Sequence, residues 1–295
     1  MPNIPTKLHF IWVGNPLPAN YVANLLSWVI GNPFYDVSLW TESKMLDETI
    51  EKVITYYDAE HREPEHGPAQ IITTFSGKMI SIDAGDSMPL QVQINNLSTL
   101  TPLSDPMLLQ EELTTWRNYG TSSSILRCWI LYQEGGVYMD FDVYPLGSLP
   151  AVLPAPKGIL FGEVAMFTSN VLVNALIAAP AKSDHVVAIS KRLEETYEET
   201  YEEIAPGVRK ITPEEIDRLN TIERLRNAST ASYSPGASRR LLLWDSLISP
   251  ALQRSRTFFH AVDSRMPVDE VVAEYSFQRN TGAKIQIQHH GAWHV

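Results

Sequence analysis

Residues 123–143 read SSILRCWILYQEGGVYMDFDV, and this stretch decides the fold. Ile125 to Gln133 carries apolar side chains at helical spacing, with Ser122 and Ser123 placed as caps before it. Gly135-Gly136 ends that helix and lets the chain turn tightly. Val137–Tyr144 then reads as a strand, with Val137, Met139, Phe141 and Val143 on one face and Tyr138, Asp140 and Asp142 on the other. A helix that feeds a strand ending in acids suits an open α/β sheet, where ligands sit beyond the carboxyl ends of the strands.

Working outward, Leu8–Val13 is apolar at both parities, as in a strand buried on both faces. Gly14-Asn15-Pro16 breaks it, and Tyr21–Ile30 follows with helical spacing at Val22, Leu25, Leu26 and Val29. Asn32-Pro33 stops that helix, and Asp36–Trp40 reads as a second strand, giving a βαβ start. Ser43–Tyr57 reads as a helix, 58–70 as a loop, 71–82 as either strand or helix, and Met107–Tyr119 as a helix. The second half reads as mostly helical. Val186–Ile204 presents Val186, Ile189, Leu193, Tyr197 and Tyr201 on one face and six glutamates on the other, a pattern of a solvated helix face. Pro213–Asn227 and Ser238–Gln253 suit further helices, and Lys284–His289 a closing strand. No repeat or linker stands out. The expectation is one α/β domain over 1–295, with a core at 1–150, a helical acceptor-side part at 185–255 and a C-terminal strand and tail at 283–295.

Two carboxylates two positions apart, Asp140 and Asp142, have the chemistry to hold one hard divalent ion, Mg²⁺ or Mn²⁺ rather than zinc. Two solvated acids on an edge strand would read the same. A glycoside hydrolase also uses paired carboxylates, but flanks the bond with groups ~5–9.5 Å apart, which a shared-face pair does poorly. Arg127 lies one helical turn after Ser123 and Ser124, so all three can face one space. There it suits a phosphate or a sugar hydroxyl, or an ion pair with Glu134 or Glu112.

The joint presence of Ile4-Pro5-Thr6-Lys7-Leu8-His9-Phe10-Ile11-Trp12-Val13-Gly14, Asn32-Pro33, Leu39-Trp40, Leu126-Arg127 and Gly135-Gly136-Val137-Tyr138-Met139-Asp140-Phe141-Asp142 resembles the DXD-motif glycosyltransferases. That family includes catalytic domains of large clostridial glucosylating toxins, arginine-modifying bacterial effectors, and fungal and bacterial sugar transferases. The resemblance covers about the first 150 residues and recurs at Asn174–Pro180 and in the tail. It implies a GT-A-like, Rossmann-like mixed sheet flanked by helices, a nucleotide sugar (a UDP-sugar above all) used with Mn²⁺ or Mg²⁺, and retention at the anomeric carbon. Carried over, Trp12 stacks on the base, Arg127 and Asp140 contact the sugar or ribose, and Asp142 ligates the metal. His9, Gly14, Ser124 and Asn174 stand with them at the donor. Trp293 closes over the leaving oxygen, and His289 or His290 adds a metal contact. Alternation with Ile285 and Ile287 puts His289 on the apolar face and leaves His290 on the polar one. The family usually has aspartate where Ser124 stands, so the choice of sugar is open. Tyr233-Ser234-Pro235-Gly236 suits an acceptor-side loop or a plain turn.

Composition sets the outer bounds. The chain has 295 residues, 44% of them hydrophobic, enough for a sizeable core. Its formal charge of −11 argues against a nucleic-acid or anionic-membrane partner. One cysteine, Cys128, excludes an internal disulfide and reads as a small core residue. No apolar run of ~18 residues is present, so no membrane span is expected. The N-terminus lacks a secretory pattern. The expected protein is a cytoplasmic glycosyltransferase acting on a glycan or small-molecule acceptor. An enzyme delivered outside the cell that modifies a protein side chain, or a catalytically weak sugar-nucleotide binder, are the alternatives.

Overall fold

A computed structural model describes residues 3–61, 67–83, 89–115, 119–166, 169–191, 193–194 and 273–287. Its centre is a parallel ladder. The apolar run at the start of the chain forms β2 (Lys7–Trp12), which follows a short β1 (Asn3–Ile4). Residues of β2 alternate between two cores: Leu8 and Phe10 enter one cluster, Ile11 and Val13 the other. Helix α1 (Ala19–Gly31) buries Val22, Leu25, Leu26 and Val29 in the first cluster, as its spacing predicts. Asn32 caps its C-terminus, and Pro33 cannot continue the helix.

The chain then enters β3 (Asp36–Thr41), parallel to β2, and α2 (Leu46–Glu60), entered through a 3₁₀ turn at Ser43–Met45. The ambiguous stretch 71–82 is a hairpin, β4 (Gln70–Thr73) and β5 (Gly77–Ile82), which pairs antiparallel with β6 (Leu90–Asn96). The helix expected over Met107–Tyr119 is instead a short α3 (Pro106–Gln110) followed by a π turn at Glu111–Thr115. Helix α4 runs over Tyr119–Glu134. Ser122 and Ser123 therefore lie inside it, fully buried, and are not caps.

Gly135 and Gly136 take φ of 65° and 99° between α4 and β7 (Gly136–Met139). A Cβ at Gly136 would come within 2.6 Å of the Lys7 carbonyl oxygen, so glycine lets β7 lie against β2. The strand expected over Val137–Tyr144 is split. The backbone leaves the ladder at Asp140, turns, and resumes as β8 (Val143–Pro145), which pairs with β12 (Ile285–Ile287). Asp140 and Asp142 thus belong to a turn rather than to one face of a strand.

The main sheet has the order β10-β11-β7-β2-β3-β6-β5-β4, where β10 is Leu160–Met166 and β11 is Ser169–Ala179. The four central strands are parallel and the outer two on each side antiparallel. Strands from beyond residue 150 therefore complete the core sheet, which was expected to end at 150. A short β9 (Leu153–Pro154) pairs with β1.

Helices α1 and α2 cover one face, and α4 packs on the other with α5 (184–191), which buries Val186 and Ile189. Leu193 is buried as expected, while Tyr197, Tyr201, Pro213–Asn227, Ser238–Gln253 and Tyr233–Gly236 lie outside the described residues. Near the C-terminus, α6 (Phe277–Thr281) holds the free edge of β10. The Gln278 amide donates to and accepts from the Glu163 backbone, and Arg279 grips the Glu163 carboxylate. No helix among the described residues is long and apolar enough to cross a membrane.

Candidate active site

Chain order fixes where a ligand fits. From β2 the chain passes through α1 to β3 on one side, and it returns at β7 on the other. This reversal is the topological switch point of an open sheet, and the carboxyl ends of β2 and β7 flank the crevice. Trp12 ends β2, and Asp140 follows the last residue of β7.

Helix α4 and β7 build one polar cluster there. Arg127 is 3% exposed and donates from Nε to the Ser123 carbonyl, from one terminal nitrogen to the Asn174 carbonyl, and from the other to Ser123 Oγ at 3.0 Å and Asp140 Oδ1 at 3.4 Å. Its guanidinium lies 4.4 Å from the centre of the Tyr138 ring. The Tyr138 hydroxyl donates to the same Asp140 oxygen, and Ser123 Oγ lies 3.2 Å from that hydroxyl. Since Tyr138 gives its proton to Asp140, Ser123 gives its own to Tyr138, and the hydrogen bonds run in one direction toward the acid. Burial opposes the Arg127 charge, but Tyr138 and Asp140 outweigh it and hold the guanidinium above its ordinary range. Burial pushes the Tyr138 phenol far up, so it stays a neutral donor. Of the two partners for Arg127 considered from sequence, Glu134 pairs instead with Lys7 at 2.8 Å, and the ion pair Arg127 makes here is with Asp140.

The turn itself is held from both sides. Asp140 N–H donates to the Ala175 carbonyl at 2.7 Å, and Val143 N–H to the Asp140 carbonyl at 3.1 Å. From α1, Asn24 and Trp28 reach the carbonyls on either side of Asp142. One turn earlier on α1, Tyr21 packs 5.2 Å from Phe141 and 5.1 Å from Trp12, ring centre to ring centre. Burial, and after it the nearby Asp142, push its phenol up. Trp12 is half-buried in this aromatic group, and its indole N–H donates to the Asn15 carbonyl.

Other residues singled out from sequence are placed differently. His9 is 1% exposed, and both ring nitrogens are engaged inside the protein. Trp40 donates to Nδ1, so Nε2 carries the proton given to the Gly135 carbonyl. His9 therefore offers neither nitrogen to a donor. The Gly14 amide is taken by the Glu42 carboxylate at 2.7 Å. The Ser124 hydroxyl turns back to the Gly120 carbonyl, away from the bonds that join Ser123 to Arg127. Asn174 contributes its backbone carbonyl. Cys128 is a buried core thiol, pushed up to about 12 by burial. His289, His290 and Trp293 lie outside the described residues.

Three members escaped the sequence reading: Tyr138 was a face-mate without a role, and Tyr21 and Asn24 were ordinary helix positions, whereas Ser123, though read as a cap, was also placed beside Arg127. A polar Asn24 in the middle of an apolar helix face was the available signal. A groove of about 610 Å³ also opens against strands β3, β5 and β6, but none of Trp12, Arg127, Asp140 or Asp142 lines it.

The donor set at the turn is made of carboxylate oxygens, which suits a hard divalent cation that also takes ligands from phosphates. Among the described residues no group of three or more His, Cys, Asp or Glu side chains gathers to hold a metal unaided. Asp140 Oδ1 is engaged by Tyr138 and Arg127.

A mixed sheet with a switch-point crevice, and an acid pair braced by a buried arginine, make up a GT-A-like arrangement. Residues 18–158 match the family described as glycosyltransferase sugar-binding region containing DXD motif. It is 26% identical over 194 residues to "Subversion of eukaryotic traffic protein A" of Legionella pneumophila, covering 66% of this chain and 26% of that protein. The chain thus spans about a quarter of that relative. Among solved structures, the catalytic domain of alpha-toxin from Clostridium novyi aligns over 95% of this chain and 78% of its own, with a TM-score of 0.53 at 12% identity. The UDP-bound glycosyltransferase domain from the YGT toxin covers 97% and 83%, with a TM-score of 0.50 at 14% identity. These likenesses confirm the GT-A-like fold expected from the sequence.

Proposed function

We propose that the chain transfers a hexose from a UDP-sugar to an acceptor, with Mn²⁺ or Mg²⁺ and with retention at the anomeric carbon. The observation that carries this reading is the Asp140–Asp142 turn, held at the switch point by Arg127, Ser123 and Tyr138. The YGT toxin domain is described as UDP-bound, which supports uridine as the base. Trp12 offers a half-exposed indole at the end of β2 for the base to stack on. Asp142, with Asp140 and a histidine at 289 or 290, would hold the cation. When bound, that cation supplies charge stabilisation at the diphosphate as the nucleotide leaves. Asp140, oriented by Tyr138 and Arg127, faces the donor sugar, and Trp293 closes over it.

A protein side chain is the second acceptor reading, favoured by relatives named as a traffic-subverting protein and as toxins. Delivery outside the cell goes with that reading, and a cytoplasmic enzyme with the first.

Hydrolysis of a panel of nucleotide sugars, with Mn²⁺ and with EDTA, tests the donor and the metal. UDP-sugars turned over only with the metal, and lost in Asp142→Asn, is the expected result. Full turnover by Asp142→Asn, or equal turnover in EDTA, overturns the metal reading. Mass-shift screening of host proteins against glycans then separates the acceptors.

A further inference from the structure

The acids of the site stand on a turn of three residues, and what fixes that turn comes from α1. Asn24 is 2% exposed and sits in the middle of a helix face otherwise filled by Tyr21, Leu25 and Trp28. Its side-chain amide donates at 2.9 Å to the Phe141 carbonyl and at 2.9 Å to the Val143 carbonyl. Both partners are acceptors, so the amide nitrogen must face them and its orientation follows from chemistry. Trp28 is fully buried one turn later and donates from its indole nitrogen to the Val143 carbonyl at 3.1 Å. The two carbonyls gripped in this way flank Asp142.

The Asn24 oxygen is buried and finds no donor among the described residues. An unmatched buried acceptor opposes folding, and an apolar side chain of the same size would avoid it. The asparagine is therefore placed for what its two N–H groups hold. With Phe141 O and Val143 O held, the peptide units on both sides of Asp142 are anchored, which limits where its carboxylate leaves the turn. Small displacements of such a group are costly to binding and catalysis.

We propose that Asn24, assisted by Trp28, is the positioning residue that aims Asp142 at the cation of the donor complex. The inference rests on the metal reading above, and goes beyond it by assigning the geometry of the metal ligand to bonds from helix α1. Asn32 provides the control. It is 3% exposed and lies just past the end of the same helix. It ties the Leu149 amide at 2.6 Å and the Trp28 carbonyl at 3.1 Å, but it does not reach residues 140–143.

The test measures free Mn²⁺ by electron paramagnetic resonance during titration of the full chain with Mn²⁺ and UDP, alongside urea unfolding without metal. Asn24→Leu, which keeps the volume and loses both donors, should weaken Mn²⁺ uptake at least tenfold. Trp28→Phe, which removes one of two bonds to Val143, should weaken it two- to fivefold. Asn32→Leu should lower stability while changing Mn²⁺ affinity less than twofold. Equal losses of affinity in Asn24→Leu and Asn32→Leu would reduce Asn24 to a structural part and overturn the proposal. So would wild-type affinity in Asn24→Leu; if that variant does not fold, Trp28→Phe decides by the same criterion. Wild-type protein that takes up no Mn²⁺ with UDP overturns the metal reading, and with it this inference, by a result distinct from either of those.

Discussion

His9 lies on β2 where the resemblance put a donor contact, and the structure gives it a different job that a pH titration can read. Burial is the main cause that lowers its pKa from 6.5 to about 4; the Gly135 carbonyl and Glu134 act the other way, and Lys7 adds slightly to burial. The sign follows from linkage. A folded-state value below the unfolded one means that unfolded chains take up the proton first, so acid favours unfolding. The contribution of neutral His9 is complete above pH 6.5, and it is lost as the pH falls from there to about 4. A fall from 6.5 to about 4, at about 1.4 kcal/mol per pH unit, comes to about 3 kcal/mol. His9→Gln keeps a donor and an acceptor but does not titrate. Urea unfolding of both proteins at pH 7.5, 6.5, 5.5 and 4.5 isolates the term, because carboxylate effects common to both cancel. Wild type should lose about 2.5 kcal/mol relative to the variant across that range, the rest following at lower pH, with little difference above pH 6.5. A difference that stays flat with pH would mean that His9 meets solvent or ligand, and would return it to the donor site.

Three further outcomes follow from the same geometry. Tyr138→Phe keeps the ring beside Arg127 and deletes the donor to Asp140; a cost of about 1–3 kcal/mol in urea and at least a tenfold drop in UDP-sugar hydrolysis are expected. Gly14→Ala forces a side chain onto a residue with φ of 89° and places a Cβ 2.2 Å from the Tyr119 ring, so unfolding should shift by at least about 1–3 kcal/mol. Cys128, 2% exposed and pushed up to about 12, should ignore Ellman's reagent at pH 8 in the folded protein and react at once in denaturant.

The parallel centre of the sheet was legible because its signals are local. Leu8–Val13 is apolar at both parities, and Asn32-Pro33 punctuates α1. What failed was non-local. Val137–Tyr144 alternates well enough for one strand, yet the bonds from Asn24, Trp28 and Ala175 break it at Asp140, and no window of eight residues holds that information. Ser122 and Ser123 have the chemistry of caps, but α4 starts earlier, and a serine inside a helix is free to bond across to β7. The hairpin β10–β11 was missed because Leu160–Ala179 is apolar without clean alternation, and consecutive residues such as Leu160-Phe161 and Ala175-Leu176-Ile177 are buried. Of the site, Arg127 and the acids were legible from spacing and resemblance. Tyr138 and Asn24 act only through partners that the fold supplies.

The net charge of −11 then bears on the proposed chemistry in a specific way. Arg127 was expected to meet phosphate or sugar directly, yet its donors go to Ser123, Asn174 and Asp140. Its one positive charge stands against the two carboxylates of the turn. A diphosphate entering beside them meets repulsion of about 4 kcal/mol for each pair of like unit charges about 4 Å apart, at an effective dielectric of about 20. On the proposed reading, a divalent cation held by the acids would supply the positive charge that offsets that repulsion. The guanidinium is thus an internal brace, and charge compensation for the nucleotide has to arrive with it. An arginine free to bind phosphate would have made the acids dispensable for nucleotide binding. With Arg127 tied to Asp140, the proposed donor binding would turn on the metal and on the geometry of Asp142.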